Sequence, residues 1–263
     1  MSVTGVFSAR ADGATTVSLG LAAVLARDSR TLLLDLHHDS AEIAPLLDIE
    51  TTAGIAQVAY NAQLAPVDAD ELEKHVAWRD GIAVLAGVRV PRLAERVTDH
   101  FLTGLLDAAM NRFEEIVIDL GRVRGAGFPP ALANARLLWV VRPTPLGMEA
   151  LERWRGELYE GEPQWLAKTA VVLNGVNALS LAGADRYVQE EHDLGVAGSI
   201  PDTPEYWARV QIQHSVRALN TADPEHPRYR KAHGEEAAIA REAFEALAAS
   251  LASAPVPELS LVR

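Results

Sequence analysis

A short apolar run, Val3 to Ser8, leads through Ala9-Arg10-Ala11-Asp12-Gly13-Ala14 into Thr15-Thr16 and a helical stretch ending near Leu25. A strand, a small-residue loop and a Thr-Thr pair opening a helix are the layout of a phosphate-binding loop, in which N–H groups at a helix N-terminus hold an anion. Thr15 and Thr16 have a second reading, because hydroxyls also cap helices. Two acids close apolar runs: Asp35 after Thr31-Leu32-Leu33-Leu34, and Asp119 after Glu115-Ile116-Val117-Ile118. Such acids support a metal ion or are held by loop hydrogen bonds. Asn174 and Pro201-Asp202 close two further runs, where they either cradle a base or simply end their strands. His37-His38-Asp39 has metal-binding side chains. Adjacent residues of an extended chain point to opposite faces, so a solvent-exposed loop is expected there.

The elements that must position these residues read as seven strands: Val3 to Ser8, Thr31 to Leu36, Ile82 to Ala86, Glu115 to Gly121, Leu137 to Val141, Thr169 to Asn174 and Gly195 to Pro201. Helices are expected near 15–25, 99–111, 146–160 and 234–252. Continuous apolar strands alternating with helices specify an α/β fold, a doubly wound, mostly parallel sheet flanked by helices on both faces. Ligands of such sheets sit outside the carboxyl ends of the strands, where Ser8, Asp35, Asp119, Asn174 and Pro201 all fall. One domain is expected over 1–253, with a tail at 254–263. Leu151, Trp154 and Leu158 have the spacing of a core stripe. Tyr206-Trp207 after Pro204 reads as a loop pair that either packs or meets a partner, aromatics being enriched at interface cores.

The chain has 263 residues, 49% apolar and 23% charged, the composition of an ordinary globule. No apolar run approaches the ~18–20 residues of a membrane span, and no basic-then-apolar leader opens the chain, so the cytoplasm is the expected compartment. The absence of cysteine excludes disulfides and thiolate chemistry. A net charge of −12 disfavours DNA, for which Arg89, Arg92 and Arg96 form the one modest basic stripe. The last helix carries Ile239, Phe244, Leu247 and Leu251 on one face and Glu235, Glu236, Glu242 and Glu245 on the other. It is expected to dock on its own sheet, because a membrane-binding helix needs a basic polar face.

The order of these segments over about residues 3–220 resembles the MinD/ParA group of deviant Walker A P-loop ATPases. The matching phrases are Phe7-Ser8, Leu32-Leu33-Leu34-Asp35-Leu36-His37, Ile116-Val117-Ile118-Asp119-Leu120-Gly121, Val171-Val172-Leu173-Asn174 and Ser199-Ile200-Pro201-Asp202. Ala41 to Asp48 followed by Gly54-Ile55 looks most like the CpaE/TadZ branch, whose members place Tad (Flp-type) pilus machinery at a cell site. The resemblance implies nucleotide contacts at Arg10, Gly13, Thr15, Thr16, Asn174, Pro201 and Asp202. It puts Mg²⁺ on Thr15 directly and on Asp119 through water.

The departures change the expected chemistry. The family loop reads Lys-Gly-Gly-x-Gly-Lys-Thr-Thr, whereas this chain has Ala9 at the signature lysine and Ala14 at the phosphate-gripping one. The chain has only three lysines, Lys74, Lys168 and Lys231, so no shift of register restores them. Losing one preorganised donor in such a role costs about 2.7–4 kcal/mol. Asp12 adds a carboxylate among the expected phosphate positions. The acid that would orient water is replaced by His37. Ala9, Ala14, Asp35 and His37 are thus expected to be vestigial positions of a pseudo-ATPase. The expected function is a catalytically degenerate localisation or scaffold factor for pilus, secretion or cell-pole machinery, with no cofactor required and Mg-ATP as the one to test. A homodimer and recruitment to the inner membrane face through partners are further expectations. The alternatives are an ATPase with a site rebuilt on Arg10 and His37, and a chromosome-partitioning factor that binds DNA.

Overall fold

A computed structural model describes residues 1–37, 41–50, 54–123, 128–161, 163–220 and 233–253. Its eight strands are β1 (Ser2–Ser8), β2 (Thr31–Asp35), β3 (Ala77–Arg79), β4 (Ile82–Leu85), β5 (Glu115–Arg122), β6 (Arg136–Val141), β7 (Thr169–Val176) and β8 (Gly195–Pro201). They form one sheet in the order β3-β4-β2-β5-β1-β6-β7-β8. Every pairing is parallel except that of β3 with β4. The helices are α1 (Ala14–Leu25), α2 (Ile43–Leu46), α3 (Ile55–Asn61), α4 (Ala69–Lys74), α5 (Pro91–Ala94), α6 (Asp99–Met110), α7 (Pro145–Gly161), α8 (Pro163–Leu166), α9 (Ala184–His192), α10 (Pro204–Gln213), α11 (Arg217–Asn220) and α12 (Glu235–Ser253).

The apolar runs of the strands are explained by burial on both faces. Leu32, Leu34, Ile116, Ile118, Leu137 and Trp139 face one core, shared with α6 and α7. Leu33, Val117, Leu138, Val140 and Val172 face the other, shared with α1 and α10–α12. In the first core Phe7, Phe128, Trp139 and Trp154 form an aromatic cluster with ring centroids 4.8–5.9 Å apart. Leu151 and Trp154 of α7 are buried there, as their spacing predicts.

Helix α12 docks on β8 and α1 in the second core, with Phe244 and Leu247 fully buried. The fit is close: a Cβ on Gly20 of α1 would come within 2.2–2.6 Å of the Phe244 ring. Tyr206 and Trp207 lie in α10 rather than in a loop. Tyr206 is buried, and the half-buried Trp207 packs edge-on to Phe244 at 6.3 Å, so the pair packs in the second core. No helix among the described residues is long and apolar enough to cross a membrane. The segment 254–263 lies outside the described residues.

Candidate functional site

The carboxyl ends of β1, β2, β5 and β7 gather the loop and its acids. Strand β1 ends at Ser8, whose hydroxyl donates to the carbonyl of Arg10 and whose carbonyl accepts from Val123 N at 3.0 Å. The chain then turns through Gly13 at φ 95°, a left-handed backbone that favours glycine. A Cβ there would lie 2.4 Å from the Asn174 amide. That amide donates to the carbonyl of Asp12 at 2.7 Å. Asn174, which the resemblance assigns to a base, thus also ties β7 to the loop. Gly13 is the N-cap of α1 and no side chain caps the helix, so Thr15 and Thr16 do not act as caps, and first-turn N–H groups without a capping side chain are what an anion site uses.

Asp35 and Asp119 form the floor. They are partners in the register of β2 and β5 and are both fully buried. Asp35 accepts from His37 N at 3.1 Å and Ile43 N at 3.4 Å. Burial, and secondly the charge of Asp119, push its pKa up to about 8. Burial also raises Asp119, while the Thr15 hydroxyl and Gly121 N, the latter at 3.0 Å from Oδ1, favour its ionised form. Asp119 Oδ2 has no hydrogen-bond partner. The half-buried His37 ring covers Gly121, where φ is +59° and a Cβ would lie 2.1 Å from the imidazole. His37 Nδ1 is likewise without a partner. His38 and Asp39 lie outside the described residues, and among those described no cluster of three or more His, Asp or Glu is placed to hold a metal.

Asp12 is only 6% exposed. Burial raises its pKa, and the charges of Arg10 and Arg142 pull it back. Arg142 is an exposed residue just beyond β6; a Cβ on Gly175 would lie 3.6 Å from its guanidinium. It was not legible from the sequence, because a single arginine at a strand end makes no pattern. The only hint was that β6 had to end near the loop. Pro201 and Asp202 lie at the end of β8. Asp202 N donates to Val176 O at 3.0 Å, and its carboxylate accepts from Asn177 Nδ2 at 3.2 Å. Beside the loop opens a cleft of about 680 Å³ lined by Ala9, Arg10, Arg122, Leu146, Arg153 and Trp154.

A Mg-nucleotide fits one half of this arrangement. The uncapped α1 terminus could receive phosphate, and Thr15 with the free Oδ2 of Asp119 could support the metal. The other half is missing: Ala9 and Ala14 offer no charge, and the two nearby guanidinium groups both act on the buried Asp12.

A strand, loop and helix of this geometry over a buried acid pair, in this strand order, define the P-loop ATPase fold of the MinD/ParA type. The chain is similar to a ParA family ATPase from Chlorobium tepidum at 13% identity and TM-score 0.73, covering 95% of this chain and 98% of that one. It is similar to MinD in the MinC:MinD cell division complex of Aquifex aeolicus at 18% identity and TM-score 0.71, over 98% of both chains. Septum site-determining protein MinD of Pyrococcus horikoshii, complexed with Mg-ADP, is similar at 14% identity and TM-score 0.65 over 96% of both chains. No protein-family model and no curated protein sequence matches the chain.

Proposed function

We propose that this protein is a localisation or scaffold factor that keeps the MinD/ParA fold and has surrendered hydrolysis. The observation that carries this reading is the loop itself: Ala9 and Ala14 replace both lysines, while Asp12 engages the nearby arginines. Two absent donors at about 2.7–4 kcal/mol each, though not additive, remove the charge stabilisation that phosphoryl transfer depends on. What remains is a weak Mg-nucleotide site formed by backbone N–H groups, Thr15 and Asp119. The MinD of Pyrococcus horikoshii was obtained with Mg-ADP, which supports testing a Mg-nucleotide here.

The resemblance of Ala41 to Asp48 to the CpaE/TadZ branch favours Tad pilus or secretion machinery as the partner, reached from the cytoplasm at the inner membrane face. A MinD fold in complex with MinC supports protein partners for this architecture. Any homodimer either forms without ATP or uses another surface, since no signature lysine is present to reach across the nucleotide face. Measuring phosphate release with Mg-ATP tests the reading: none above the buffer rate is expected, and turnover abolished by Asp119→Ala would overturn it. That overturning result belongs to the second reading, an ATPase rebuilt on Arg10 and His37, for which the unpartnered His37 Nδ1 beside Asp119 is the supporting observation.

A further inference from the structure

Away from the loop, a groove lies between α3 and the segment 87–104. One part, about 400 Å³, is lined by Gln57, Tyr60, Arg89, Val90 and Arg96 and has no acidic residue in its lining. The other, about 760 Å³, shares Arg96 and continues past Leu64, Pro66, Glu95 and Phe101. Tyr60, Val90 and Leu64, in the lining of the groove, are 48%, 43% and 81% exposed. The Arg96 guanidinium stands 5.3 Å from the centre of the Tyr60 ring. Arg89, Arg92 and Arg96 are exposed, and none of them forms an ion pair with a carboxylate among the described residues.

In a chain of charge −12, Arg89 and Arg96 in the lining of an apolar groove, with Arg92 exposed between them in sequence, are a local inversion of sign. Complementary charge steers and selects a partner, while apolar anchors supply most of the affinity. A nucleic acid fits this surface poorly. Its affinity comes from many cations spaced along phosphates, whereas here Glu95 interrupts the arginines and apolar side chains form much of the lining. We propose that this groove docks an acidic segment of a partner protein. Its carboxylates meet Arg89 and Arg96, and its apolar face lies on Tyr60, Val90 and Leu64. None of the residues 9–16 lines the groove, so the proposal stands whether or not nucleotide binds.

The test is a peptide-display selection on the full chain. One enriched peptide is then titrated by fluorescence anisotropy against the wild type, Arg89→Glu/Arg96→Glu and the milder Arg89→Gln/Arg96→Gln, with thermal unfolding confirming that each variant is folded. A labelled DNA duplex is titrated in parallel. The expected result is enrichment of peptides pairing Asp or Glu with apolar residues, an affinity that falls about tenfold or more in both variants, and weakening with salt. Failure to enrich any peptide, enrichment of peptides without carboxylates, or an affinity that ignores both variants would overturn the proposal. So would duplex binding lost with the same arginines, which would assign the patch to nucleic acid.

Discussion

Asp35 and Asp119 stand opposite one another on neighbouring parallel strands, both sealed from solvent, with Asp35 held near a pKa of about 8. Neighbouring strands lie about 4.8 Å apart, too close for two buried carboxylates to ionise without a cation between them. At neutral pH the pair therefore keeps a proton, because burial raises both carboxyls and the charge of Asp119 raises Asp35 further.

This proton has a consequence for stability. The folded pKa of Asp35 lies above its value in an unfolded chain, so between about pH 4 and 8 the folded state binds more protons than the unfolded one. Stability from this group is full at the acid end of that window and is lost as pH rises toward 8, by up to about 1.4 kcal/mol per unit. Urea midpoints for the wild type and Asp35→Asn between pH 5 and 8 should show a falling trend that the variant flattens. Parallel slopes would contradict the shared-proton description.

The Asn174 amide ties β7 to the loop through the Asp12 carbonyl. Asn174→Ala leaves that buried acceptor without its partner, at a cost of about 1–3 kcal/mol, and frees the turn at Gly13. Hydrogen exchange in residues 10–16 should accelerate more than in β4. An unchanged loop would show that Gly13 and α1 hold themselves.

Packing of α12 depends on the absence of a side chain at Gly20. Gly20→Ala places a methyl inside the Phe244 ring contact and should destabilise by about 1–3 kcal/mol, as overpacking does. Phe244→Ala should cost about 3–5 kcal/mol. The double variant should cost less than the sum, because each change relieves the other's clash or void. Strict additivity in chemical unfolding would argue against the contact.

Oligomeric state offers a separate check. If the site has lost its nucleotide switch, light scattering should give the same mass with and without Mg-ATP at equal protein concentration. An ATP-dependent doubling of mass would return the protein to the switching class.

The sheet was largely legible because strands buried on both faces leave unbroken apolar runs, as in Leu32 to Leu34 and Leu137 to Val141. Strand β3 was not, because Ala77–Arg79 is too short to carry a period and is fixed by its antiparallel pairing with β4. The helices of four residues escaped for the same reason. Asp35 and Asp119 could be placed at strand ends, but their facing register depends on β2 lying beside β5, a long-range pairing. Asn174 as a tie to the loop, and Arg142 near Asp12, depend on side-chain reach across β1, β6 and β7. Tyr206-Trp207 misled because Pro204 marks the first turn of α10 and not a loop, proline being well tolerated at that position.

The central claim is that the lysine-free loop has lost the grip on phosphate while the fold and acid floor survive. The most direct measurement is a calorimetric titration of Mg-ATP into the wild type and into Ala14→Lys. The account predicts no resolvable heat for the wild type at millimolar nucleotide and a gain of about tenfold or more in affinity for the variant, the worth of one charge-assisted contact. Micromolar binding by the wild type, unchanged by the restored lysine, would contradict it.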